Sequence, residues 1–126
     1  MKKLIFASIA CLALFSCQPK KEQAPSPAEI VSASFDAAKS KDYESFVDYF
    51  FFSEEDRADL LNFLSAYATD SYEARAGIDS VEIVSENVSE DGNFAKVETT
   101  VRYCDGTSET SDSDLLLLDG NWFISI

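Results

Sequence analysis

The side chains available for chemistry in this chain are carboxylates, phenols and thiols, because its 126 residues include no histidine. A proton-transfer site near neutral pH would have to use a carboxylate whose pKa burial raises, with a tyrosine beside it. Glu98, the strand positions flanked by Arg102, and the phenols of Tyr49, Tyr67 and Tyr103 are the available candidates. Alternation along a strand sets Glu98, Arg102 and Cys104 on one face and Val97, Thr99, Val101 and Tyr103 on the other. Glu98 and Arg102 on one face read as a solvent-facing ion pair within the strand. Cys104 has no histidine to act as its base, so it is expected to be a small, half-buried strand residue rather than a nucleophile. No catalytic residue is assigned.

Other chemistries lack their ligands. Asp105, Glu109, Asp112 and Asp114 are acidic, but they lack the glycine and spacing of a calcium loop, and no Cys/His cluster exists for zinc. The four glycines, Gly77, Gly92, Gly106 and Gly120, are scattered like turn residues instead of forming a phosphate-binding loop. No metal and no cofactor is therefore expected. The formal net charge of −13 repels phosphate backbones and excludes nucleic acid as a partner. It also opposes adsorption on anionic lipid, so membrane attachment would need a covalent anchor. Asp79-Ser80-Val81 matches a three-residue O-glycosylation signal of some Bacteroidota, a pattern short enough to arise by chance.

The N-terminus supplies such an anchor. Lys2 and Lys3 precede an apolar run from Leu4 to Phe15, about a dozen residues, the length of a signal-peptide core and too short to span a bilayer. Leu14-Phe15-Ser16-Cys17 resembles the bacterial lipobox, with an aliphatic residue three positions before the cysteine and a small one immediately before it. Residues 1–16 are accordingly expected to be a lipoprotein signal peptide, with Cys17 the lipid-bearing residue. Cys11 is the poorer alternative, because it would leave Ser8 at the aliphatic position. The resemblance implies acyl chains on Cys17, which give stable anchoring. Gln18 after the cysteine points to the outer membrane under the enterobacterial sorting rule. With Cys11 in the leader and Cys17 lipidated, Cys104 has no disulfide partner. Residues 17–25 form the lipidated cysteine and a polar, proline-containing tether.

Residues 26–126 are long enough for one domain with one core. Ser26-Pro27-Ala28-Glu29 combines a capping serine, proline at the first helical position and glutamate at the third, which starts a helix. Ile30, Ala33 or Ser34, Phe35, Ala37 and Ala38 supply its apolar stripe. Asp42 caps a second helix over Tyr43 to about Phe52, and Ser53 before Glu54-Glu55-Asp56 caps a third that runs to about Ser71. Beyond Gly77 the pattern alternates. Val81 and Ile83 lead to a turn at Glu90-Asp91-Gly92-Asn93. The strand Ala95–Tyr103 follows, then reversals at Asp105-Gly106 and Asp119-Gly120. The result is an α+β domain, three N-terminal helices packed on a curved four-stranded antiparallel sheet.

Ser26 to Val31, Phe35-Asp36-Ala37-Ala38-Lys39-Ser40-Lys41-Asp42-Tyr43-Glu44 and Leu118-Asp119-Gly120-Asn121-Trp122-Phe123-Ile124 resemble small bacterial lipoproteins with a lumazine-binding-like domain of unknown function. These belong to the nuclear-transport-factor-like, or SnoaL-like, cone fold superfamily. The resemblance covers residues 26–126 and implies a cone-shaped cavity between helices and sheet. Enzymes of the superfamily use it for isomerisation, dehydration or hydrolysis, and dimerisation through the sheet is common. Tyr49, Phe50, Phe63, Tyr67, Tyr103 and Trp122 are the expected cavity-lining side chains. The expected role is binding a small apolar ligand or an envelope protein. The alternative is a cone-fold enzyme using a buried carboxylate and a tyrosine. A deep cavity holding an ionisable residue would favour the enzyme, whereas filling by Phe50, Phe63, Leu116 and Trp122 would favour a structural or interaction role.

Overall fold

A computed structural model describes residues 24–126. The expected signal peptide, Cys17 and nearly all of the tether lie outside the described residues. The expected start of the domain is built as its residue types require. The Ser26 hydroxyl accepts the Glu29 N–H at 3.2 Å, and the Glu29 carboxylate accepts the Ser26 N–H at 2.7 Å. This reciprocal cap, with Pro27 in the first turn, opens helix α1 (Pro27–Lys39). Its most buried residues are Val31, Ser34 and Ala38, with Phe35 packed beside them. The inward stripe therefore follows the 3.6-residue period from Val31, which the sequence reading passed over in favour of Ile30.

Helix α2 (Tyr43–Asp48) is capped by Asp42 and buries Phe46 and Val47. It stops short of the expected Phe52 because the next residues join the sheet. The Phe51 N–H donates to Ile124 O at 2.8 Å, the Ile124 N–H donates to Tyr49 O at 2.8 Å, and Phe50 forms a parallel bridge with Ile124. The third helix also differs at its start. Ser53 donates to the Asp56 carboxylate at 2.8 Å instead of capping the backbone. A single 3-10 turn, Glu54–Asp56, then leads into α3 (Arg57–Ser71).

Four strands follow as an antiparallel meander in the order β1 (Ile78–Val88), β2 (Phe94–Tyr103), β3 (Ser108–Leu118) and β4 (Asn121–Ser125). The polar stretch expected to lead into Leu115 is itself part of β3. Asp119 and Gly120 both have positive φ, 51° and 82°, which lets a two-residue loop join β3 to β4 with the twist of a tight hairpin. Helices first and an antiparallel sheet second is the α+β order expected from the sequence.

One face of the sheet meets the helices. Ala95, Val97, Thr99, Val101 and Tyr103 are buried along β2, as alternation requires. Two clusters form beneath the helices. Leu64, Ala68, Tyr72, Val101 and Tyr103 pack with Phe46 and Val47 in one. Val31, Ala95, Val97, Leu115 and Ile124 make up the other. Phe35 and Phe50 touch both and join them into a continuous core.

Two polar expectations are corrected. Arg102 pairs with Glu82 on the neighbouring strand at 3.1 Å, not with Glu98, which faces Ser85 at 3.5 Å. Cross-strand neighbours lie closer than residues two pleats apart along one strand. Cys104 is exposed in the turn after β2 rather than half-buried within a strand, because pairing ends at Tyr103.

Candidate functional site

The short β4 creates the site. It pairs with Asp114–Leu118 only, leaving the first half of β3 without a neighbour on that side among the described strands. Beside this gap a cleft of about 390 Å3 opens between helices and sheet. Phe35, Phe46, Phe50, Phe63, Tyr67 and Tyr72 form its aromatic walls. Ser111–Ser113 and the end of β4 form its polar side.

The aromatic walls are held by one another. The Tyr72 ring lies 6.1 Å from Phe35, 5.6 Å from Tyr67 and 6.2 Å from Tyr103, the last nearly parallel to it. Phe46 and Phe50 meet edge to face at 5.2 Å. Such offset and edge contacts suit the ring quadrupoles and stiffen the wall. Phe63 is 58% exposed, so it lies at the rim of the cleft instead of filling it.

Behind Tyr72, the Tyr103 hydroxyl donates to Glu109 at 3.3 Å. The Arg75 guanidinium lies 4.8 Å from the centre of the Tyr103 ring and 3.6 Å from the Glu109 carboxylate. Burial raises the pKa of the Tyr72 hydroxyl above the usual phenol value, and nearby Tyr67 and Tyr103 add to the shift. Burial raises that of Tyr103 as well, with the Glu109 charge contributing. Both phenols are neutral hydrogen-bonding groups near pH 7 and poor bases.

The register decides what the sheet contributes. Thr99 faces Ser111, and Val97 faces Ser113, so these two serines point to the helix side. Asp112 pairs with Glu98 and alternates to the opposite face. The sheet thus offers the cleft the hydroxyls of Ser111 and Ser113, with Asp112 bordering it between them and its side chain alternating away. Next to Ser111, Thr99 is 1% exposed and its hydroxyl has no hydrogen-bond partner in the described structure. The buried Ser34 hydroxyl, by contrast, donates to Val31 O at 2.7 Å. No group of three or more acidic, Cys or His side chains among the described residues could hold a metal ion. No described helix is long and apolar enough to cross a membrane.

The expected cavity residues separate into two groups. Phe50, Phe63 and Tyr67 line the cleft. Tyr49 and Trp122 pack against the core cluster around Val31 and Leu115, and Tyr103 is buried behind Tyr72. Phe35, Phe46 and Tyr72 belong to the wall but were not among the expected lining residues. Phe35 and Phe46 were legible as apolar helix positions. Which of them would face a void depended on the length of β4. Leu116, considered as a filler, stands on the outer face, opposite Phe94 and Phe123.

No protein-family model and no curated protein matches the chain. Solved structures do. A protein described as an NTF2-like transpeptidase from Campylobacter jejuni superposes with a TM-score of 0.66 at 16% identity, over 81% of this chain and 99% of that one. A SEC-C motif containing protein from Rhodopseudomonas palustris gives 0.58 at 18% identity, over 80% and 76% of the two chains. At these identities the likeness is one of fold. The chain has the nuclear-transport-factor-like cone fold.

Proposed function

We propose that the cone is a binding site for a small apolar ligand, uncharged or cationic, in a domain held at the outer membrane by lipid on Cys17. The observation that carries the binding reading is the cleft itself. Its volume of about 390 Å3 lies within the range of small-molecule sites, and its walls are aromatic. The hydroxyls of Ser111, Ser113 and Tyr72 would orient the ligand without charge. An anionic ligand would meet no cation at the cleft. Catalysis is disfavoured because Asp112, which borders the cleft, alternates away from its interior, Glu109 is engaged by Tyr103 and Arg75 behind the aromatic wall, and the Tyr72 phenol is a weak base.

The test is titration of the full-length protein with Nile red, a neutral dye that brightens in apolar surroundings. One equivalent should bind, and Ser111→Phe, which fills the cleft from the sheet side, should abolish the signal without lowering the melting temperature. Absence of binding, or binding untouched by the substitution, would sink the proposal. The anchor is tested separately. Metabolic labelling with palmitate in a bacterial host should mark the wild-type chain and leave Cys17→Ser unlabelled. Labelling of the serine variant would refute the assignment of Cys17.

A further inference from the structure

The sheet face turned away from the helices is mostly polar and internally paired. Lys96 contacts Asp114 at 3.0 Å, Thr100 and Thr110 share a hydrogen bond at 2.8 Å, and Arg102 contacts Glu82. At the β4 end this changes. Phe94, Leu116 and Phe123 stand opposite one another in one row across three strands, and Leu118 follows on the same face. Phe94 is 58% exposed, Phe51 is 51% exposed and Leu118 is 39% exposed.

The row continues onto the segment that bridges β4. Because Phe50 turns inward to the core, Phe51 turns outward, and with Phe52 it borders a groove of about 400 Å3 shared with Leu118 and Phe123. A second shallow groove begins on the other side of Phe51 and Phe52 and ends at Leu60. Exposed Phe51, with Phe52 half-buried against the core at its side, therefore forms a ridge between the two furrows. A contiguous apolar surface with a polar surround is the usual mark of a docking face.

The surround has one sign. Asp48, Glu54 and Asp119 border the first groove, and Asp56 and Asp59 the second. Arg57 is the adjacent cation, and its guanidinium is engaged by Asp48 at 2.8 Å and Glu44 at 3.3 Å. This field selects the occupant. A second copy would bring its own acidic rim and a net charge of −13 against the first. Anionic lipid phosphates meet the same repulsion. We infer that the Phe51–Phe52 ridge, with Leu118 and Phe123, docks a polypeptide segment of a partner protein that presents apolar side chains flanked by lysine or arginine. Phe50 borders both sites, but Phe51, Phe52, Leu118 and Phe123 do not line the cleft, so the inference stands apart from the ligand-binding proposal.

The test uses the full-length protein and two fluorescein-labelled peptides of equal length and apolar content, one flanked by lysines and the other by glutamates. The lysine-flanked peptide should bind and the glutamate-flanked one should not. Phe51→Ser combined with Phe52→Ser should weaken binding at least tenfold, and Glu54→Gln with Asp119→Asn several-fold. Asp36→Asn with Asp70→Asn, acids on other surfaces, should change little. Circular dichroism confirms that each variant is folded, and Leu118→Ser alone provides a second probe of the face if the double serine variant unfolds. Failure of the lysine peptide to bind would overturn the inference. So would binding indifferent to Phe51, Phe52 and Leu118, which marks plain charge adsorption. Sedimentation showing a dimer dissolved by Phe51→Ser would also overturn it, in favour of a second copy.

Discussion

Thr99 offers a direct measurement of what the cone floor costs the fold. Its hydroxyl is buried with no partner on the inner face of β2, between Ile83 and Ser111 on the adjoining strands. A buried hydroxyl without a hydrogen bond costs about 1–3 kcal/mol in desolvation. Valine keeps the branched shape and strand preference while replacing the hydroxyl with a methyl group. Thr99→Val should therefore stabilise the protein by about 1–2 kcal/mol. For a domain of this size that corresponds to a rise of roughly 4–12 °C in the melting temperature. Urea unfolding followed by circular dichroism should show a higher midpoint with an unchanged slope, because the surface exposed on unfolding is nearly the same. Thr100→Val provides the contrast. It removes the exposed hydrogen bond to Thr110 and should move stability by no more than about 0.5 kcal/mol. A loss of stability in Thr99→Val would refute the reasoning, because it would mean that the hydroxyl makes a stabilising bond. In the dye titration, Thr99→Val should leave Nile red affinity unchanged unless a ligand draws on this hydroxyl.

Ser26→Ala removes the side-chain half of the reciprocal cap on α1 and should cost about 0.5–2 kcal/mol, read as a lower urea midpoint. Gly120→Ala forces a β-carbon into a backbone with φ of 82° and should cost about 1–2 kcal/mol; retained stability would mean that the turn had changed type. Tyr72 predicts an alkaline weakness. Its folded pKa lies above the unfolded value of 10.0, so its contribution is fully present below about pH 10. Above that pH the unfolded chain loses its proton first, and stability falls until the folded phenol also titrates. Urea midpoints measured between about pH 9 and 11 should decline for the wild type and decline less steeply for Tyr72→Phe. Equal slopes would show that Tyr72 is not the group responsible.

Much of the architecture was legible because it is written in local chemistry. Ser26-Pro27-Ala28-Glu29 can satisfy the first amides of a helix by itself, and Asp119-Gly120 carries the backbone freedom a tight hairpin needs. The alternation of β2 grouped Val97, Thr99, Val101 and Tyr103 on one face, because a strand has a period of two wherever it lies, and the packing of the helices made that face the buried one. The absence of histidine likewise removed a common acid-base chemistry before any fold was known.

Tertiary contacts decided the rest. The run from Tyr49 to Phe52 reads as the end of a helix, yet Phe50 leaves it for a parallel bridge to Ile124, and that exchange turns Phe51 outward while Phe52 stays half-buried against the core. Arg102 chose Glu82 over Glu98 because a partner across the ladder is nearer than one along the same strand. The cleft depends on a mismatch in length. β4 covers only the end of β3, and the aromatic residues of α1, α2 and α3 line the space left open. Local propensity determines which residues turn and which alternate. Whether an aromatic side chain fills the core, lines a cavity or faces solvent depends on where distant strands end.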